Sequence, residues 1–211
     1  MHTRIKNCGL TNPESIAQSV ATGANYIGFV HHIASPRHAD AATIRTLFSH
    51  VPSNVARVIV LVNPDDATIE SLPIPSYWQI HGATTERIAD LSARYGSPVI
   101  SAISVSSAHD LALAATHEEI CDHLLFDAAT SGSGKPFDWN LLKNLPLKKP
   151  WFLAGGLTPE NVADAIRITH APIVDVSSGI EDSPGNKSLE KIAAFNAAVL
   201  NAADAQTKHS S

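Results

Sequence analysis

Eight short runs rich in β-branched and apolar residues recur along the 211-residue chain, separated by segments of a different periodicity. The runs are RIKNC (4–8), NYIGFV (25–30), VARVIVLV (55–62), SYWQIH (76–81), PVISAI (98–103), HLLFDA (123–128), WFLAG (151–155) and PIVDVS (172–177). Between them apolar residues fall three and four apart, as at Ile44, Leu47, Phe48 and Val51, or at Val162, Ala165 and Ile166. That spacing is the stripe of an amphipathic helix. Neighbouring parallel strands need a crossover element, so strand–helix alternation points to a parallel sheet. Eight such units imply an α/β chain closed into a single (β/α)8 barrel over residues 1–204, with a short flexible C-terminal tail at 205–211. The alternative is an open doubly wound sheet. It usually carries a glycine-rich nucleotide loop after its first strand, and Cys8-Gly9-Leu10-Thr11 is no such loop.

Local punctuation agrees with this reading. Asn12-Pro13 and Thr158-Pro159 place a capping side chain before a proline in the first helical turn, and Gly23 and Gly96 fall where helices end.

Composition narrows the class of partner. With 44% hydrophobic and 17% charged residues the chain reads as soluble and globular, and no apolar stretch reaches the roughly 18 residues of a membrane span. A formal net charge of −5 without any Lys/Arg run offers no footprint for nucleic acid or an anionic membrane. A small-molecule ligand and a cytoplasmic setting are the expectation, with Cys8 and Cys121 as free thiols.

In a barrel of this kind the chemistry sits at the C-terminal ends of the strands. The strand ends here carry Cys8, the pair His31 and His32 followed by Arg37, Asn63, His81, Asp127, Gly155-Gly156 and Ser177-Ser178-Gly179. The glycine and serine endings on adjacent strands seven and eight expose backbone N–H groups to an anion, which suits a phosphate. Gly134, within Gly132-Ser133-Gly134-Lys135, adds donors nearby without the spacing of a P-loop. Cys8 and Asp127 can serve as base and acid in a proton shuffle at carbon. For a thiolate base, a cation such as Lys6 or Arg37 is expected to lower the cysteine pKa. Arg37 can clasp a carboxylate with two parallel hydrogen bonds, and His81 can donate to substrate. The bland readings are a Cys8 that fills core, a solvated Arg37 and a His81 packed under a loop. His31, His32 and His38 lack the spacing of a zinc site, and no metal is expected.

These motifs resemble those of the phosphoribosylanthranilate isomerase family of tryptophan biosynthesis. The resemblance rests on KNCGLT (6–11), GANYIGFV (23–30) with SPRH (35–38), QIHG (79–82), LLFDA (124–128), GSGKPFDW (132–139), LAGGLTPENV (153–162) and DVSSGIE (175–181). It implies a cofactor-free Amadori rearrangement. Asp127 would protonate the furanose oxygen and open the ring to a Schiff base, and Cys8 would remove the proton from C2. Arg37 would hold the anthranilate carboxylate, while Gly155, Gly156, Ser177, Ser178, Gly179 and Gly134 would grip the phosphate. Asn7 stands where the family usually has an apolar residue, and its inward-facing neighbours turn it toward the outer helices. His31-His32-Ile33 replaces an aromatic, and the loop from 127 to 132 is short. Rival readings are another phosphosugar isomerase or epimerase barrel, or a phosphosugar binder without turnover. Whether the protein is a monomer or a homodimer stays open at this stage.

Overall fold

The computed structural model describes residues 2–128, 136–143 and 145–209, with side chains up to residue 202. Eight parallel strands close into a barrel in chain order: β1 (Arg4–Cys8), β2 (Tyr26–Val30), β3 (Ala56–Val62), β4 (Tyr77–His81), β5 (Val99–Val105), β6 (His123–Ala128), β7 (Trp151–Leu153) and β8 (Ile173–Val176), with β8 pairing back to β1. The α/β-barrel reading therefore holds, and the strand boundaries shift by no more than two residues.

Helices α1 (Pro13–Ala21), α2 (Ala41–Phe48), α3 (Asp66–Ser71), α4 (Thr85–Arg94), α5 (Ala112–Ile120), α6 (Val162–Thr169) and α7 (Leu189–His209) surround it. Asn12 caps α1 as its sequence suggests, its side chain accepting from Ser15 N at 2.8 Å with Pro13 in the first turn. The α6 start differs from the expected one near Pro159. Asn161 folds back to accept from Thr158 N and to donate to Gly156 O, so residues 158–161 form a turn and the helix begins at Val162.

Three further departures are instructive. Among the described residues between β6 and β7 the helical element is only a 3-10 turn, Trp139–Leu142, in a stretch that Pro136, Pro146 and Pro150 interrupt. After β8 the chain makes a small antiparallel hairpin, β9 (Glu181–Ser183) with β10 (Asn186–Lys187), that periodicity did not signal. The last helix runs through His209, into the stretch expected as a tail.

The core has two parts. One lies between sheet and helices and contains Ile5, Ile27, Phe29, Ile59, Leu61, Val174 and Phe195. The other fills the barrel interior with Tyr26, Val58, Ile100, Leu125, Phe152, Ala154 and Ile173. Edge-on packing of Tyr26 on Tyr77 and Phe152, and of His123 on both Tyr77 and Phe152, plugs the end where the strands begin. The opposite end is left open for polar residues.

Candidate active site

A cavity of about 560 Å³ opens where the strands end, and its wall includes Cys8, Arg37, His81, Asp127, Gly155, Gly156, Ser177 and Ser178. Eight of the ten residues singled out from the sequence thus meet in one place. Gly179 is not part of that wall. Its bare Cα lets the chain close against the Leu157 carbonyl, where a Cβ would clash. Gly134 lies outside the described residues.

Cys8 ends β1 with its side chain inward. The neighbouring Gly28 on β2 makes room for it, because a Cβ there would stand 2.6 Å from the Cys8 Sγ. The backbone around Cys8 is tied on both sides. Gly9 N and Leu10 N donate to Gly28 O, and the Ser177 hydroxyl donates to Cys8 O at 3.1 Å. The thiol does not match its expected electrostatics. Burial pushes its pKa up, and the opposing pull of Lys6 and Lys187 does not overcome that rise. Arg37, the other cation expected to help, is engaged elsewhere.

One inward step below Cys8 on β1 stands Lys6, fully buried, its Nζ 2.8 Å from the Asp175 Oδ2 on β8. Burial disfavours the Lys6 charge, but the Asp175 carboxylate and Cys8 outweigh it and hold the ammonium above its ordinary value. Asp175 also belongs to the cavity wall and feels the Asp127 carboxylate.

Arg37 leaves the loop after β2 with its stem laid over Gly9, whose φ of +74° suits a residue without a Cβ. Its Nε and Nη2 fork onto the Glu181 carboxylate at 2.7 and 2.8 Å. The Lys187 Nζ donates to the same carboxylate at 2.7 Å and to Ser177 O at 2.9 Å. Burial would raise the Glu181 carboxyl, yet Arg37 and Lys187 together keep it below the usual range.

His81 ends β4, with its Nε2 2.8 Å from the buried Gln79 amide nitrogen. Burial, then the Lys6 charge, depress its imidazole to about 4, so it is neutral near pH 7. Gly155 and Gly156 both have positive φ, +84° and +67°, and a Cβ at Gly155 would run into Ala128 N. Two left-handed glycines in a row bring bare backbone to the cavity beside Ser177 and Ser178. The His31 and His38 rings lie 5.1 Å apart, tilted by 43°, with the His31 Nδ1 on Ala39 O, and His32 reaches the cavity wall.

The chain that builds this cavity matches known proteins along almost its whole length. The family model described as N-(5'phosphoribosyl)anthranilate (PRA) isomerase covers residues 5–198. The chain belongs to the phosphoribosylanthranilate isomerase family. Relatives named N-(5'-phosphoribosyl)anthranilate isomerase include one from Paracoccus denitrificans, 44% identical over 206 residues, spanning 92% of this chain and 96% of that protein. Another, from Parvibaculum lavamentivorans, is 42% identical over 208 residues, spanning 92% and 97%. The crystal structure of phosphoribosyl anthranilate isomerase from Thermotoga maritima superposes with a TM-score of 0.84 at 33% identity, over 93% of this chain and 98% of that one. A family member in complex with reduced 1-(o-carboxyphenylamino)-1-deoxyribulose 5-phosphate superposes with a TM-score of 0.81 at 32% identity, covering 93% and 98%.

Lys6, Gln79, Asp175, Glu181 and Lys187 were not singled out as substrate-site residues from the sequence, although Lys6 was named as a cation beside Cys8. Strand parity carries a signal for three of them. Residues two before an inward strand end also face inward, which gives Lys6 from Cys8, Asp175 from Ser177 and Gln79 from His81.

Proposed function

We propose that this chain converts N-(5'-phosphoribosyl)anthranilate to 1-(2-carboxyphenylamino)-1-deoxyribulose 5-phosphate, with Asp127 as general acid and Cys8 as general base. The observation that carries the reading is the meeting of Cys8 and Asp127, 119 residues apart in sequence, on the wall of one cavity beside Gly155, Gly156, Ser177 and Ser178. Asp127 gives a proton to the furanose oxygen as the C1–O bond breaks, and the nitrogen lone pair forms the Schiff base. Cys8 takes the C2 proton in its thiolate form, which the Lys6 and Lys187 ammonium groups favour against burial, and the electron pair left on C2 forms the C1–C2 double bond of an enolamine while neutralising the nitrogen. Tautomerisation to the ketone completes the Amadori rearrangement. Acid and base terms of this kind are each worth about 10²–10⁴ in rate.

The glycine and serine cradle takes the phosphate, and Arg37 takes the anthranilate carboxylate with the donors that Glu181 leaves it. His81, neutral at working pH, acts as a hydrogen-bonding group and not as a cation. Among the described residues no three His, Cys, Asp or Glu side chains gather to hold a metal, and no helix is long and apolar enough to cross a membrane. No proton transfer above needs a metal or organic cofactor, and a cytoplasmic setting fits biosynthesis of this kind.

The test is loss of substrate fluorescence with freshly made phosphoribosylanthranilate and no added metal. Wild type turns over, while Cys8→Ala and Asp127→Asn fold yet lose at least about 10²-fold in kcat. Near-normal turnover by either variant removes that residue from its role. No turnover by folded wild type leaves a phosphosugar binder or a different phosphosugar substrate as the reading.

A further inference from the structure

The residues of β8 that share the inward face are Ile173 and Asp175, with Ser177 just beyond the strand end. Ile173 packs in the interior core, Ser177 caps the Cys8 carbonyl, and Asp175 lies between them at the floor of the cavity. Register pairs Asp175 with Lys6, so it sits one inward step below Cys8 on the adjoining strand. Its Oδ2 is held by the Lys6 ammonium at 2.8 Å. Its Oδ1 is buried and makes no hydrogen bond, although the residue is only 7% exposed. A buried carboxylate oxygen without a donor is costly, and the structures in which such atoms persist usually supply the donor from a ligand or an ordered water. Asp175 is itself one of the residues that line the substrate cavity, one inward step below Cys8.

We propose that Asp175 is a further substrate-contacting residue, whose Oδ1 accepts a hydrogen bond from the C2 hydroxyl, on the carbon from which Cys8 takes its proton. Lys6 is then a positioning residue. Its ammonium favours the ionised carboxylate against the burial that raises the Asp175 pKa, and by occupying Oδ2 it leaves Oδ1 for the sugar. The contact orients the C2–H bond toward the Cys8 sulfur and selects a sugar that carries a hydroxyl at that carbon. This inference rests on the reading of Cys8 as the C2 base, and its test separates the two.

The probes are the reduced product, 1-(o-carboxyphenylamino)-1-deoxyribitol 5-phosphate, and its counterpart lacking the C2 hydroxyl, each titrated by calorimetry. Wild type binds the hydroxylated probe about 10- to 100-fold more tightly, the worth of a hydrogen bond to a charged group. Asp175→Ala loses that preference, with little further loss for the deoxy probe. Because a lone Lys6 is left buried in that variant, K6M/D175L replaces the whole pair by apolar side chains of similar size, an exchange that buried ion pairs often tolerate. It too binds both probes alike. Equal binding of the two probes by wild type overturns the proposal and needs no variant. A preference that survives in D175A or K6M/D175L also overturns it, and assigns Asp175 to balancing the Lys6 charge alone. Cys8→Ala keeps the preference whether or not it turns over, so failure of the base assignment and failure of the Asp175 contact give different results.

Discussion

Arg37 and Glu181, 144 residues apart, meet in a two-bonded fork at the rim of the cavity, and Lys187 shares the same carboxylate. The hairpin after β8 thereby ties the residue assigned to the anthranilate carboxylate to Ser177 on the phosphate side, since Lys187 also binds the Ser177 carbonyl. Neither end of the site is set independently of the other.

Glu181→Gln should therefore loosen Arg37 without touching the acid or the base. The variant leaves two cations facing a neutral amide, so a stability loss of about 3 kcal/mol is expected in denaturant titrations. Steady-state kinetics should show KM raised roughly tenfold, the worth of about 1.4 kcal/mol of binding, with kcat within a few-fold of wild type. An unchanged KM in the folded variant would remove Glu181 from the positioning of Arg37.

Gly28 is the second lever on geometry. A methyl group at that position would approach within 2.6 Å of the Cys8 Sγ and 3.1 Å of its Cα. Gly28→Ala should displace the thiol by a few tenths of an ångström to an ångström. Such a shift costs about 10² in turnover where proton transfer needs close approach, against overpacking of about 1–3 kcal/mol in stability. Comparing the rate loss with the shift in Tm checks the claim. A variant as active as wild type would show that Cys8 need not occupy this position.

His81 gives a pH-dependent term. Its folded-state pKa of about 4 lies below the ordinary 6.5, so the unfolded chain binds the proton more readily. The stability His81 contributes is complete above pH 6.5 and is lost as pH falls through 6.5 toward 4, on the order of 1–3 kcal/mol. Chemical denaturation of wild type and His81→Gln across pH 4 to 7 should show a shallower decline in the variant. Parallel curves would mean that His81 titrates normally in the folded protein.

Strand-level features were legible because they depend on local sequence. β-Branched runs, the Asn12-Pro13 cap and the glycines after helices act within a few residues, and the barrel follows from their order. The strand ends also pointed to Cys8, Asp127, Gly155 and Ser177, since the fold sends such residues to one face. The Arg37 partner was hidden because Glu181 is far away in sequence and reaches it through an unforeseen hairpin. The direction of the Cys8 shift was missed for a different reason. Charge proximity can be guessed from a strand register, but the desolvation that outweighs it depends on how completely the folded barrel buries the sulfur, with β2 close beside it at Gly28.

Asn7 offers the last test, of stability and not of chemistry. It lies on β1 between two inward-facing residues, so its amide enters the layer between sheet and helices, where it is wholly buried. Neither Nδ2 nor Oδ1 finds a hydrogen-bond partner. A buried unpaired amide costs about 1–3 kcal/mol, and an apolar side chain would recover that as well as bury surface. Asn7→Val suits a strand position by its β-branching and is similar in size. It should raise Tm by about 2–4 °C for each kcal/mol regained, with kcat/KM unchanged because the side chain points away from the cavity. Calorimetric scans and the fluorescence assay decide this together. A lower Tm would mean that the amide is satisfied in solution, most simply by a buried water, and that the isopropyl group displaces it.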